Sequence, residues 1–200
     1  MVYDKALMKS AITLFLKAVG EKENDAHTGD TPERCSKMWE ILLGGKDKDP
    51  NSYVKTFPLS QEGEEFVTPV MMSNIKFYGF CAHHLLPFYG LVSIAYIPKN
   101  KIIGLSKLAR ISRHFARVPQ VQERLTKQIA DFIQNCDLDP QGVMVIIDAV
   151  HMCVSQRGVR CDGTKTRTIW ITGEYQINER LRDRFENYVN SMTDINLFRY

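Results

Sequence analysis

The sequence predicts an α+β fold with a mainly antiparallel sheet. Segment patterns run in the order helices, strand pair, helix pair, strand pair, terminal helix. Strict alternation of strand and helix is absent. No glycine-rich phosphate loop of either common type occurs, so a doubly wound nucleotide fold is not expected.

Each element has a local reason. Residues 3–20 place Leu7, Ala11, Leu14, Phe15 and Ala18 at helical spacing. A polar stretch, 21–30, breaks that helix. Asp30-Thr31-Pro32-Glu33 then reads as a helix start, with Asp or Thr capping and Pro in the first turn. Met38, Ile41 and Leu42 give this second helix an apolar face, and Gly44-Gly45 ends it. Residues 46–65 are polar and turn-rich. The expected division is a helical segment over 1–45 and one sheet-bearing domain over 46–200.

From about residue 66 the pattern changes. Residues 66–72 and 74–80 read as strands, and 91–97 is β-branched and aromatic. Pro98-Lys99-Asn100 makes a turn, and 101–104 continue extended. A helix runs from about Ser106, with Leu108, Ile111 and Phe115 on one face. Pro119 marks a break and the first turn of the next helix, which carries Val121, Leu125, Ile129, Phe132 and Ile133. Asp139-Pro140-Gln141-Gly142 is a turn. A long strand is expected over 142–154, a partner strand over 164–175 and a helix over 176–189, followed by a polar tail. There is no internal repeat and no low-complexity linker.

Composition narrows the classes of function. A chain of 200 residues, 44% hydrophobic and 24% charged, suits one domain, or one domain with an appendage, that buries its own core. That argues against a disordered chain. With 26 basic and 23 acidic residues the net charge is +3, too weak to point to nucleic acid or anionic lipid as the main partner. No run approaches the ~20 apolar residues of a membrane-spanning helix. Asp4, Lys5 and Lys9 interrupt any apolar leader, so no secretory signal is read. Cysteines stand at 35, 81, 136, 153 and 161; an odd number without a leader suggests reduced thiols and a cytoplasmic location.

Three of the five histidines and two of the five cysteines fall in two short segments, Cys81-Ala82-His83-His84 and His151-Met152-Cys153. Cys81 and His84 form a Cys-x-x-His pair that a turn can fold around one ion. On a strand, His151 and Cys153 would share a face. Thiolate plus imidazole is a ligand set of Zn²⁺. Three protein ligands leave a fourth position for water, the catalytic arrangement, and zinc lowers the pKa of that water to ~7. Taken singly, a Cys-x-x-His pair can be accidental and a strand cysteine is more often core than ligand. The conjunction favours a metal site. His83 or His151 could still supply a fourth ligand to a purely structural one.

A second constellation suits an anion. Ser106-Lys107-x-x-Arg110 opens a helix, where backbone donors, a hydroxyl and two cations favour phosphate. Arg157 lies four residues past Cys153. The competing reading is a solvated basic face. Gln122-Glu123 sits at a helix start, where Glu commonly complements the helix dipole. A carboxylate there could also accept from the N1–H and exocyclic amine of guanine, which adenine cannot match.

These residues sit in runs that resemble GTP cyclohydrolase I. The runs are Phe80-Cys81-Ala82-His83-His84-Leu85-Leu86-Pro87-Phe88-Tyr89-Gly90, Ile103-Gly104-Leu105-Ser106-Lys107-Leu108-Ala109-Arg110, Pro119-Gln120-Val121-Gln122-Glu123-Arg124-Leu125-Thr126 and Asp148-Ala149-Val150-His151-Met152-Cys153. Asp30-Thr31-Pro32-Glu33-Arg34, with Lys37 and Met38, is similar to the family's N-terminal helix. The likeness covers roughly residues 28–165.

The resemblance implies the tunnelling fold, an antiparallel sheet with two inserted helices, in a toroidal homodecamer with active sites between subunits. Residues 46–200 would be its catalytic domain. It implies zinc held by Cys81, His84 and Cys153, and hydrolytic attack on GTP at C8 by water activated there. His151 would protonate the imidazole ring nitrogen and His83 would assist proton movement. A formamidopyrimidine forms, formate leaves, and rearrangement gives 7,8-dihydroneopterin triphosphate. Glu123 and Gln122 would hold the guanine edge. Ser106, Lys107, Arg110 and Arg157 would hold the triphosphate, with Arg34 and Lys37 as weaker candidates. The family usually has Glu where this sequence has Ala82, which changes the charge beside the metal and leaves the ligands intact. The segment after Arg157 also diverges. Two other readings remain: a homologue that stops at the formamidopyrimidine, and a non-catalytic GTP-binding homologue.

Overall fold

A computed structural model of the chain describes residues 3–22, 25–59 and 68–192. They form two compact units, divided after Asp49.

In the N-terminal unit, helix α1 (Lys5–Ala18) begins at Asp4, whose carboxylate accepts from the Leu7 amide at 2.8 Å. Helix α2 (Thr31–Leu43) packs against it. Pro32 sits in its first turn, where the missing N–H costs nothing. Asp30 occupies the cap position without making a side-chain cap bond; its carboxylate pairs instead with Arg34 at 3.1 Å. Glu33 gathers Lys5, Lys9 and Lys37 at 3.4, 3.3 and 3.2 Å, tying the two helices together. Tyr3 adds a bond from its hydroxyl to the Ser36 carbonyl at 2.7 Å. A 3₁₀ turn, Gly44–Asp47, follows α2.

The second unit holds a five-stranded sheet. In chain order its strands are β2 (Val70–Cys81), β3 (Pro87–Ile97), β5 (Pro119–Gln120), β6 (Gly142–His151) and β7 (Thr166–Gly173). The spatial order is β5-β2-β3-β6-β7, antiparallel throughout except for the parallel β5–β2 pair. A separate two-stranded ribbon pairs β1 (Thr56–Pro58) with β4 (Lys101–Ile103).

Two helices, α3 (Leu105–Ala116) and α4 (Gln122–Asn135), cover one face. Strand alternation explains the packing. Phe88, Val92, Ile94 and Tyr96 of β3 point to the helix face, against Leu108, Ile111, Leu125, Ile129 and Ile133. The intervening Ala95 and Ile97 point to the other face. There, with Met144 and Ile146, they pack on Tyr175 of α6 (Glu174–Ile177) and on Phe185 and Val189 of α7 (Glu179–Met192).

The α+β class and the helix pair between strand pairs are as the sequence predicts. Several boundaries differ for identifiable reasons. The two strands expected at 66–72 and 74–80 are one strand, β2, broken in register between Met72 and Ile75. Asn74 sits at φ 61°, a conformation Asn tolerates and a bulge uses. Residues 66 and 67 of that expectation lie outside the described residues, as does the polar tail from 193 onward. Pro119 belongs to β5 instead of a helix turn, and α4 starts at Gln122. The strand expected to reach 154 stops at His151, opposite Phe88, because the partner strand begins there: Pro87 has no N–H to continue the ladder. Residues Met152–Ser155 instead form a helical turn, α5. The strand expected to reach 175 stops at Gly173, whose φ of 53° turns the chain into α6. The terminal helix breaks at Asn178, whose side chain accepts from the Leu181 amide at 3.2 Å and starts α7.

Candidate metal centre and active site

Cys81 ends β2, and the chain turns back into β3 through residues 82–86. The Cys81 amide donates to the Leu86 carbonyl at 2.9 Å, and the Leu85 amide donates to the Cys81 carbonyl at 2.8 Å. Closing so tight a turn puts Leu85 at φ 53°. The turn carries His83 and His84 back beside Cys81: their Nδ1 atoms lie 3.8 and 4.0 Å from the Cys81 sulfur. The Ala82 amide donates to the Gln120 carbonyl at 2.8 Å, which fixes the turn to β5, just before α4.

Cys153 arrives from α5, beyond the end of β6. The expectation that it shares a strand face with His151 fails, because the strand has ended. The helical turn delivers it all the same. One ligand atom each from Cys81, His84 and Cys153 forms a group whose members all lie within 4.8 Å of one another. Around a tetrahedral zinc, donors stand about 3.5–3.8 Å apart, so a small side-chain rotation suffices to close on an ion. Burial, the largest cause, and the neighbouring Cys81 push the Cys153 thiol above its ordinary range. Two adjacent thiols resist ionising together, and a divalent cation removes that penalty. The donor set therefore fits a metal. Arg157, exposed just past α5, places its Nη1 against His84 Nε2, so the structure brings it to this group.

His151 closes β6 beside the group. Its ring lies on Phe88, and its Nε2 is 2.7 Å from Gln122 Oε1. Burial pushes its imidazolium below the ordinary range, and the Glu123 carboxylate pushes it partly back. Glu123 itself is exposed in the first turn of α4.

Gln122 differs from its expected role. It is 1% exposed. Its amide nitrogen donates to the Ile147 and Thr166 carbonyls, each at 2.9 Å, and to Thr168 Oγ1 at 3.1 Å. The first turn of α4 presses this side chain onto β6 and β7, so it is not free to meet a guanine edge.

Ser106, Lys107 and Arg110 do open α3, as expected, but that helix starts beside Tyr96, at the far end of β3 from the cysteines. The Ile103 amide just before α3 donates to the Tyr96 hydroxyl at 3.3 Å, and the Gly104 amide donates to the Lys55 carbonyl at 3.1 Å. His151 pairs with Phe88, eight residues from Tyr96 along β3. At ~3.4 Å per residue that is roughly 27 Å of strand. Arg34 and Lys37 lie in the N-terminal unit, paired with Asp30 and Glu33.

Two site residues escape sequence reasoning. Phe88 supplies the surface under His151. Gln120, fully buried, donates to the Phe115 carbonyl at 2.9 Å and to Gln128 at 2.8 Å, and accepts from the Val121 amide at 3.1 Å. Both sit inside the resembling runs, but no spacing rule marks either.

The family model described as GTP cyclohydrolase I matches residues 8–190. The chain is similar to the GTP cyclohydrolase 1 of Aquifex aeolicus (strain VF5), 43% identical over 192 residues, covering 96% of this chain and 100% of that one. It is 40% identical over 191 residues to the GTP cyclohydrolase 1 of Sulfurihydrogenibium sp. (strain YO3AOP1), covering 96% and 98%. It is 44% identical over 171 residues to that of Carboxydothermus hydrogenoformans (strain ATCC BAA-161 / DSM 6008 / Z-2901), covering 85% and 86%.

Proposed function

The chain belongs to the GTP cyclohydrolase I family and carries that activity, and we propose that it works as a zinc enzyme releasing formate and 7,8-dihydroneopterin triphosphate. The observation that carries this reading is that the end of β2, the turn after it and α5 bring Cys81, His84 and Cys153 to within 4.8 Å of one another. These three residues would hold the ion, which when bound supplies Lewis-acid activation of water.

The chain's own residues supply the rest. Glu123 accepts from the N1–H and exocyclic amine of guanine and so refuses adenine. His151 gives a proton to the imidazole ring nitrogen as the ring opens, and His83, exposed on the turn, moves protons to and from water. Arg157, beside His84, meets the triphosphate.

Ser106, Lys107 and Arg110 are also triphosphate ligands in this reading. Their distance from the cysteines in one chain supports a pocket completed by a second copy: the α3 start of one protomer faces the metal centre of its neighbour. A homodecamer of the tunnelling fold, with residues 46–200 as its catalytic domain, accommodates that arrangement.

Incubating the zinc-loaded protein with GTP and identifying products by mass and absorbance tests the reading. Formate with dihydroneopterin triphosphate is expected. A formamidopyrimidine end product, or untouched GTP despite bound zinc, would overturn it and direct attention to Ala82 beside the metal turn.

A further inference from the structure

Gln122 is buried beside the site and contacts a reacting group without access to substrate. Main-chain carbonyls can only accept hydrogen bonds. Because Gln122 faces the Ile147 and Thr166 carbonyls at 2.9 Å, its amino group must point at them. Its oxygen must then point the other way, to His151 Nε2 at 2.7 Å. An amide oxygen also only accepts, so His151 Nε2 must carry a proton. Thr168 Oγ1, itself 2.6 Å from Thr126 Oγ1, adds a further anchor on the amino group. The amide therefore cannot flip without losing its bonds to two main-chain carbonyls, one of them on the fully buried Ile147, where an unmade bond is expensive. Phe88 restrains the ring from its face, with planes 10° apart.

We propose that Gln122 is a positioning residue that holds His151 as the Nε2–H tautomer, leaving Nδ1 as the nitrogen through which His151 exchanges its proton with the substrate. This rests on the reading of His151 as the proton donor. In that step the Nδ1–H bond of the imidazolium breaks, its proton bonds to the guanine ring nitrogen, and neutral His151 keeps the Nε2 proton bonded to Gln122. Water returns a proton to Nδ1 for the next cycle. The bond made by one ring nitrogen selects the role of the other.

Two measurements test it. In zinc-loaded wild-type protein, solid-state NMR of ¹⁵N-labelled histidine, assigned with a His151→Gln variant, should show His151 with protonated Nε2 and lone-pair-bearing Nδ1. The opposite tautomer overturns the proposal, and no variant needs to fold for that result except the one used for assignment. In Gln122→Met, which keeps length and loses both polar ends, kcat should fall about 10–100-fold, with KM for GTP within about 3-fold and zinc content unchanged. A raised KM with unchanged kcat would instead make Gln122 a substrate ligand. The underlying reading fails separately: full turnover in His151→Ala would remove the proton-donor role whatever the tautomer.

Discussion

The ring of His151 lies nearly parallel to that of Phe88, with centroids 4.9 Å apart and 10° between planes. The two residues face each other across the last pair of the β3–β6 ladder. The β3–β6 ladder thus ends on a stacked pair whose histidine stands two residues before Cys153. A histidine fixed at a strand end delivers a proton along one direction, which a loop histidine would do less well.

His151→Ala should leave zinc stoichiometry at its wild-type value and reduce GTP turnover about 10²–10⁴-fold, the usual reach of general acid–base catalysis. Metal analysis beside a steady-state assay separates the two effects. Loss of zinc in this variant would make His151 a ligand.

A pocket shared between copies has a quantitative signature. Arg110→Ala damages the phosphate half and Cys153→Ala the metal half, and each alone should be nearly inactive. Co-refolded in equal amounts, they should recover about a quarter of wild-type activity, because about one interface in four then joins two intact halves. Pockets built within one chain would recover nothing.

Gly90 should be intolerant. A Cβ there would run into the Asp148 carbonyl oxygen and stand 2.7 Å from the Ala149 Cα, both backbone atoms of the neighbouring strand. Gly90→Ala must push β3 from β6 two residues from Phe88, at a cost of about 1–3 kcal/mol or more. Thermal denaturation should show Tm lower by about 2–12 °C. An unchanged Tm would mean that the ladder yields freely.

Much of this was legible in the sequence because period and spacing encode it. The helical faces of α3 and α4 and the Cys81-His84 spacing are local patterns. The short strand β5 was not, since two residues carry no period and Pro119 mimics a helix start. The end of β6 was hidden because apolar residues run past His151, while the signal that stops the strand, Pro87, lies on its partner. The inward direction of Gln122 was hidden for a related reason: its neighbour Glu123 points outward, and only the packing of α4 on β7 shows that Gln122 points in.

The N-terminal unit carries its own pH test. Hydrogen bonds from Lys37, Lys9 and Lys5, largest first, pull the Glu33 carboxyl down to about 2 from 4.5. A depressed carboxyl stabilises the folded form above its unfolded pKa, and the effect is lost as pH falls through the folded value. The α1–α2 contact should therefore keep the Glu33 contribution at pH 5 and lose it progressively from about 4.5 down to about 2. A ¹³C carboxyl titration in the folded protein should place the Glu33 midpoint near the lower figure, and a midpoint near 4.5 would show that the three lysines do not hold it.

Turnover of GTP should depend on the proposed zinc site of Cys81, His84 and Cys153. Cys153→Ala tests it most directly, with zinc measured by atomic absorption and product formation followed in the same preparation. Zinc and turnover should disappear together while the circular dichroism of the fold persists. Stoichiometric zinc in a fully active Cys153→Ala protein would contradict the claim.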